Sequence, residues 1–142
     1  MQQLPFFLDV FLQPVRDNPQ AQVAICAVLL LIALDIIFGL MNAFIHKEYS
    51  SQKMREGIAH KAIELLFVML GVILDATIIA GIDLGYTAPV LTTICVYELV
   101  MEIGSLMETS VKIWPHLGET PVFKFLASVH VLDVKEIGGT DA

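Results

Sequence analysis

The chain has 142 residues, of which 56% are hydrophobic and 16% charged, and its mean hydropathy is +0.75. Soluble domains are usually about 45–50% apolar and about 25% charged. This balance excludes a disordered tail, a basic nucleic-acid-binding module and an ordinary soluble enzyme. The apolar residues gather in three long blocks, each near the roughly 20 residues that cross a bilayer as a helix. The sequence therefore predicts an all-α integral membrane protein with three transmembrane helices.

An N-terminal segment, residues 1–20, carries a short apolar patch bounded by Pro5 and Pro14. The patch is too short to span a bilayer, so we expect an interfacial or loosely docked helix. The segment has no basic start and contains Asp9, which makes it a poor secretory signal. We therefore expect the protein to keep this segment.

The predicted membrane domain, residues 21–113, contains spans at about 21–45, 62–82 and 88–110. A polar hinge, residues 46–61, separates the first two spans, and the short turn DLGYT precedes the third. The second half of the third block is less apolar than the first. It either completes the span or emerges early as an amphipathic helix.

The C-terminal part, residues 114–142, contains one more predicted helix. Thr120 suits an N-cap and Pro121 suits the first helical position. Apolar residues then recur at helical spacing on one face, namely Val122, Phe125, Leu126, Val129 and Leu132. We expect an amphipathic helix in a cytoplasmic tail, lying on the membrane surface or against the bundle.

The basic residues are unevenly distributed along the chain. Four of the eight lie in the hinge, three (Lys112, Lys124 and Lys135) lie at or beyond the end of the third span, and only Arg16 lies in the N-terminal segment. Under the positive-inside rule, this bias predicts an outer N-terminus and a cytoplasmic C-terminus. The hinge residues interpreted as setting this topology are Lys47, Lys53, Arg55 and Lys61.

Six acidic residues lie in or at the edges of the spans, namely Asp35, Glu64, Asp75, Glu98, Glu102 and Glu108. Glu64 follows His60 and Lys61, and Glu108 precedes Lys112 by four residues, so both suit helix-end pairs. The other four lie deeper, where an ionised side chain costs about 2.5–3.5 kcal/mol on insertion scales. These four must be protonated, buried in helix contacts or directed toward water.

Helical spacing arranges these acids in polar stripes, one on each span. The predicted stripe residues are Asp35, Gly39 and Asn42 on the first span, Gly71 and Asp75 on the second, and Glu98, Glu102 and Ser105 on the third. Small residues on such stripes let helices approach closely in lipid. The stripes suit either a packed monomer or a homo-oligomer in which they face one another or a water-filled lumen. The sequence favours the oligomer, because three short helices offer few partners for four carboxyls.

The sequence contains no catalytic or nucleotide-binding motif such as HExxH, GxSxG or a P-loop. Its four histidines lack metal-ligand spacing, and Cys26 and Cys95 are interpreted as small buried residues. We therefore predict that the protein is not an enzyme. We also predict no cofactor, no metal site and no nucleic-acid partner.

Several short motifs appear in a characteristic order between Asp35 and Pro121. The first is D-x-x-x-G-x-x-x-A, here Asp35, Gly39 and Ala43, and residues 50–61 follow the hinge pattern S-S-x-K-x-x-x-G-x-x-x-K. Ile73, Leu74 and Asp75 follow in the second span. An E-x-x-S-x-x-E segment and an L-G…P ending complete the series with Glu102, Ser105, Glu108, Leu117, Gly118 and Pro121.

Together these motifs resemble the toxin secretion/phage lysis holin family, although Met101 and Thr109 stand where that family usually has Asn. The resemblance implies a protein that accumulates in the bacterial cytoplasmic membrane, associates laterally and opens lesions at a set time. The implied partners are the lipid bilayer, further copies of the chain, and a peptidoglycan hydrolase (endolysin) or a toxin. An antiholin, or another non-lytic channel or assembly subunit, is the alternative.

Overall fold

The computed structural model describes residues 6–47, 50–85 and 88–130. Its regular elements are α1 (Phe6–Arg16), α2 (Pro19–Ile45), α3 (Ser51–Ile79), α4 (Val90–Ile113), a 3-10 helix (Pro115–Glu119) and α5 (Pro121–His130). No strand occurs among the described residues, in agreement with the predicted all-α fold. Helices α2, α3 and α4 are long and apolar enough to cross a membrane, which confirms the three predicted spans.

A tight corner joins α1 to α2, because only Asp17 and Asn18 separate the two helices. Asn18 caps α2, since its Oδ1 accepts the backbone N–H groups of Gln20 at 3.0 Å and Ala21 at 3.2 Å. Pro19 occupies the first helical position, where a missing N–H has no cost. The α2 span therefore begins at a well-defined residue.

Arg16 strengthens this corner through two carboxylates. Its Nε donates to Asp17 Oδ1 at 2.9 Å, and its Nη1 donates to Asp9. The hydrogen bond from Arg16 lowers the pKa of Asp17 below its ordinary 3.8, and bonds to Asp17 and Asp9 raise the pKa of Arg16. The pairing therefore stabilises the corner above pH 3.8 and is lost as the pH falls through the lowered value. These side chains are about half exposed, so salt weakens the effect.

Most of the predicted polar hinge is helical. Helix α2 ends at Ile45, Lys47 adopts a positive φ of 55°, and α3 begins at Ser51. The polar residues from Ser51 to Lys61 form the first three turns of α3, about 16 Å of helix at 1.5 Å per residue. Lys, Met, Arg, Glu and Gln are good helix formers, so a polar stretch outside the bilayer has no reason to interrupt the helix.

Helix α3 ends before the predicted boundary at residue 82. Gly81 has a φ of 88°, and its N–H donates to the Ile78 carbonyl at 2.9 Å. The N–H of Ile82 donates to the Thr77 carbonyl at 3.2 Å, which completes a Schellman motif. A residue without a Cβ adopts this left-handed conformation at low cost, so Gly81 sets the end of the span.

The chain forms two compact units, one from residues 1–29 and 52–98 and the other from residues 30–51 and 99–142. In the described part of the first unit, the buried apolar residues are Ala21, Val28, Val68, Ala76, Leu91 and Cys95. In the described part of the second unit they are Ile32, Met107, Phe123 and Ala127. Each unit therefore has its own small set of buried apolar side chains.

In the second unit, α5 packs against α4. Thr120 Oγ1 accepts the N–H of Phe123 at 3.3 Å and Pro121 begins the helix, which confirms the predicted cap. The contact buries Met107, Phe123 and Ala127, with Ile103, Val111 and Leu117 packed around them. The structure thus places α5 against a span. Leu132 and the side chain of Val129, both predicted for the same apolar face, lie outside the described part of the structure.

In the first unit, α3 and α4 approach closely at Gly71. A Cβ built on Gly71 would lie 2.9 Å from the Cα of Leu91 and 3.3 Å from Cδ1 of Ile94. The first of these contacts is with backbone, so a rotamer change cannot relieve it. The predicted stripe residue Gly39 differs, because a Cβ there meets no atom within 4 Å. Gly71 permits packing inside the protomer, whereas Gly39 lies on an open face.

The substitution Gly71→Ala should destabilise the protein by about 1–3 kcal/mol, because the added methyl group forces α3 and α4 apart. The matched control Gly39→Ala should leave stability unchanged or raise it by up to about 1 kcal/mol through helix propensity. Unfolding in mixed micelles with increasing SDS, followed by circular dichroism, measures both. Equal stabilities for the two variants would contradict close packing at Gly71.

Candidate membrane-embedded carboxyl sites

Asp35 and Ser105 connect α2 to α4 within the second unit. Ser105 Oγ donates a hydrogen bond to Asp35 Oδ1 at 2.8 Å, and both residues are half-buried. A hydrogen bond from a hydroxyl to a carboxylate is stronger than one between two neutral groups. A low dielectric constant strengthens it further. The two predicted stripe residues are therefore in direct contact, although 70 positions separate them in the chain.

The remaining α2 stripe residues have fewer partners. Asn42 Oδ1 is buried and accepts no hydrogen bond from the described residues. The backbone carbonyl of Asn42 accepts from the His46 N–H at 3.1 Å and lies 3.0 Å from His46 Nδ1. Gly39 is exposed. This end of the stripe therefore has an open face beside an acceptor with unused capacity.

Asp75 on α3 caps the N-terminus of α4 within the first unit. Its Oδ1 accepts the N–H of Val90 at 2.9 Å, and its Oδ2 accepts the N–H of Leu91 at 3.1 Å. The first N–H groups of a helix have no partner within the helix, and the helix dipole favours a negative charge beside them. One intramembrane carboxylate thus satisfies two backbone donors of the neighbouring span.

This cap was not predicted from the sequence, which placed Asp75 only on a polar stripe. A usable signal was present, because Pro89 directly precedes α4 and has no side chain able to cap it. Ser, Thr, Asp or Asn normally fills that position. When the local cap is missing, an acid from the adjacent helix is the natural substitute.

A cleft of about 310 Å³ lies beside the Asp75 cap in the first unit. Its lining residues come from α1, the α1–α2 corner, α3 and the residues just before α4, and are Gln13, Pro14, Asp17, Asn18, Asp75, Ile78, Ile79, Ala88 and Pro89. Pro14 is buried there, so α1 is docked onto the α3–α4 turn. Polar side chains of the N-terminal segment therefore share a cleft with an intramembrane carboxylate.

Glu98 and Glu102 lie on the buried face of α4. They continue a face that begins with Leu91 and Cys95, at spacings of three and four residues. Their exposed fractions are 4% and 1%, and each takes part in a polar or electrostatic interaction. An isolated charge at such burial is very costly, so these carboxyls depend on protein partners or on protonation.

Glu64 forms the predicted pairs near the start of the predicted second span, but α3 begins at Ser51, so the pairs lie within the helix and not at its end. Its Oε1 lies 3.1 Å from His60 Nε2, and its Oε2 lies 3.3 Å from Lys61 Nζ. The analogous expectation for Glu108 is different, because Glu108 and Lys112 are both exposed and form no ion pair among the described residues. Of the two predicted helix-end pairs, the structure contains the one at Glu64.

The basic residues assigned to topology occupy different environments. Lys47 and Arg55 are exposed, whereas Lys61 is largely buried against Glu64. The side chain of Lys53 lies outside the described part of the structure. Lys61 thus forms an ion pair with a buried carboxyl group in addition to its predicted role in topology.

The two cysteines lie in different environments, one buried and one exposed. Cys95 is buried, as predicted, but Cys26 is exposed, and the prediction is wrong for Cys26. The physical reason is that a span in so small a protomer has more faces than neighbours. A small apolar thiol is stable against lipid as well as in a protein core.

Much of the apolar surface of the spans is uncovered in the protomer. In the most apolar 18-residue window, 17% of α2 is buried, 22% of α3 and 33% of α4. Contiguous apolar surface of this extent is rare on soluble monomers. A bilayer, or a bilayer with further copies of the chain, must cover it.

These features define a small multi-pass membrane protein with three spans and carboxyl groups bonded at membrane depth. A model of the Bacteriophage holin family matches residues 20–133, from the second residue of α2 to beyond α5. The chain therefore belongs to the bacteriophage holin family. No curated protein and no solved structure matches it.

Proposed function

We propose that this holin-family protein is a pore former. Copies would associate laterally in the bacterial cytoplasmic membrane and open lesions through which an endolysin, or in some systems a toxin, leaves the cell. The observation that carries the proposal is the set of carboxyls that take protein donors within the candidate spans, above all the bond between Asp35 and Ser105. Such groups suit a protein that alternates between a closed and a water-filled state.

In the closed state, the carboxyls use protein donors in place of water. Asp35 accepts from Ser105, and Asp75 accepts from Val90 and Leu91. A hydrogen bond to a charged group contributes about 1.5–3 kcal/mol net, similar to the cost of about 2.5–3.5 kcal/mol for a charged side chain in lipid. These bonds are strong enough to keep the carboxyls from lipid, and water in a lumen can replace them.

Self-association would use the open face of α2. Gly39 lies on this face with no neighbouring atom in the protomer, and Asn42 on the same stripe has a buried acceptor with no donor among the described residues. Small residues allow backbones to approach, and an amide can bond across a helix interface in lipid. A second copy packed at Gly39 would supply the contact that this face lacks in the protomer.

Induced expression should depolarise the cytoplasmic membrane abruptly after a delay, and cells should lyse only when an active endolysin is present. The reason is that lesions dissipate the potential at once, whereas the cell wall must be hydrolysed separately. A potential-sensitive dye and culture turbidity measure the two events, and an endolysin with an inactivated catalytic site is the control. Lysis without active hydrolase would contradict a holin, and sustained growth with an intact potential would favour an antiholin.

Neutral substitutions of the embedded carboxyls, Asp35→Asn, Asp75→Asn and Glu102→Gln, should shift the triggering time or abolish triggering. An amide keeps the shape of the carboxyl but cannot ionise when water enters, and at Asp75 it replaces one of two acceptor oxygens. Asp75→Leu should be more severe, since it leaves the Val90 and Leu91 amides without an acceptor. The delay between induction and depolarisation, at equal membrane protein levels, is the measurement.

Asp83→Asn is the matched control for these variants. Among the described residues, Asp83 Oδ1 accepts only the local N–H of Gly85 at 2.8 Å, in an exposed turn. The Asp83→Asn variant should trigger at the wild-type time. Wild-type delays in all three amide variants would contradict a role for the carboxyls in opening.

We propose an outer N-terminus and a cytoplasmic C-terminus. Single cysteines at Ser51, Leu84 and Thr140, in a background lacking Cys26 and Cys95, test this orientation with a membrane-impermeant thiol reagent on intact cells. Only the cysteine at Leu84 should react. Leu84 is preferable to Gly85, whose φ of 76° would strain any side chain. Reaction at Ser51 with protection at Leu84 would invert the orientation.

A further inference from the structure

Helix α5 has two apolar faces, and only one of them is used in the protomer. Phe123 and Ala127 are 5% and 1% exposed because they pack against α4. Val122 and Phe125 are 69% and 67% exposed, and Leu126 is 39% exposed. The last three are spaced by three and four residues, so they form one uncovered stripe along the helix.

An apolar groove of about 310 Å³ runs between α4 and α5 beside this stripe. Residues lining it include Ile103, Leu106, Met107, Leu117, Phe123 and Leu126. The hydroxyls of Ser110 and Thr120 also line it, but both already donate to backbone carbonyls, at 2.6 and 2.7 Å. Water in such a groove would find few hydrogen-bond partners, so the surface suits an apolar occupant.

The groove lies at the end of a membrane span. Its α4 residues fall within the candidate span Val90–Ile113, and Met107 lies about 9 Å along the helix axis from Ile113. Trp114 follows directly and is 61% exposed, and Trp is enriched where a span meets the lipid headgroups. The groove is therefore continuous with the lipid-facing surface of α4, at the depth where headgroups give way to acyl chains.

We propose that the stripe and the groove form a lipid-binding surface, so that α5 is an interfacial helix and not part of an aqueous tail. Val122, Phe125 and Leu126 lie among the acyl chains, and a lipid acyl chain fills the groove. At 100° per residue, the exposed Lys124 falls on the side of α5 opposite the stripe, and the exposed Ser128 lies at the polar edge of the stripe beside Phe125. A cation there suits the anionic headgroups of a bacterial leaflet.

Lipid is favoured over the other occupants because the groove is continuous with the apolar surface of α4, and because a cation, Lys124, lies on the other side of α5. The groove opens onto a span that already contacts lipid, whereas a second copy would have to cover the stripe and the groove together. An amphipathic helix of this kind lies with its apolar face about 5–10 Å below the headgroup level. The proposal is independent of pore formation, because it concerns how α5 is anchored and not whether the protein opens lesions.

Depth-dependent tryptophan quenching tests the proposal on the full-length protein in phospholipid vesicles. In a Trp114→Phe background, single tryptophans replace Phe125 on the stripe and Leu126 at the groove, and Lys124→Trp on the opposite side is the matched control. Phospholipids brominated on their acyl chains should quench the tryptophans at positions 125 and 126 several-fold more than the one at 124. Aqueous iodide should show the reverse order.

Val122→Trp provides a second stripe position in case one variant folds poorly, since Val122 is equally exposed. Strong iodide quenching at positions 122, 125 and 126 would overturn the proposal in favour of an aqueous tail. Protection of these positions from both quenchers would overturn it in favour of a protein occupant, either a second copy or residues 131–142. Bromolipid quenching on the stripe but not at position 126 would overturn the assignment of the groove to an acyl chain.

Discussion

The fold depends on one constraint, which is that polar groups inside a bilayer need partners from the protein. The Asp75 carboxylate and the first amides of α4 solve this problem for each other, at 2.9 and 3.1 Å. Without the carboxylate, two N–H groups at the start of a span would lack acceptors. Without the amides, a carboxylate would lie uncompensated near lipid. Gly71 supports the same hairpin, because its missing side chain lets α3 and α4 pack closely.

The same constraint gives the other embedded acids distinct roles. Asp35 is held by a hydroxyl from another span, and Glu64 is held by Lys61 and His60 on its own helix. These contacts give Asp35 and Glu64 protein partners while leaving most of the apolar surface of the helices uncovered. A protomer of this kind keeps embedded acids paired and still has uncovered faces on which copies could assemble. The mechanism proposed for this member of the holin family requires both properties.

Helix α5 extends this reasoning beyond the spans. Its packing on α4 buries the side chains of Phe123 and Ala127. A helix in an aqueous tail would not need this contact. The other apolar stripe of α5 remains exposed. One face of α5 therefore packs against the end of a span, and the other face is open to its surroundings. Helix α5 is therefore held to α4 by apolar contacts, and Lys124, the one cation whose side chain is described in α5, lies away from them.

The amino-acid sequence by itself determined the all-α class, the three spans, the Thr120 cap and the family, because hydropathy, length and local capping are properties of contiguous residues. It did not reveal that residues 51–61 continue α3, since a polar stretch is compatible with both helix and loop. Only the tertiary structure decided that Asp75 caps α4, that Ser105 meets Asp35, and that Cys26 is exposed. Those facts depend on which faces of separate helices meet. Helical periodicity places a residue on a face, but packing in space decides what that face contacts.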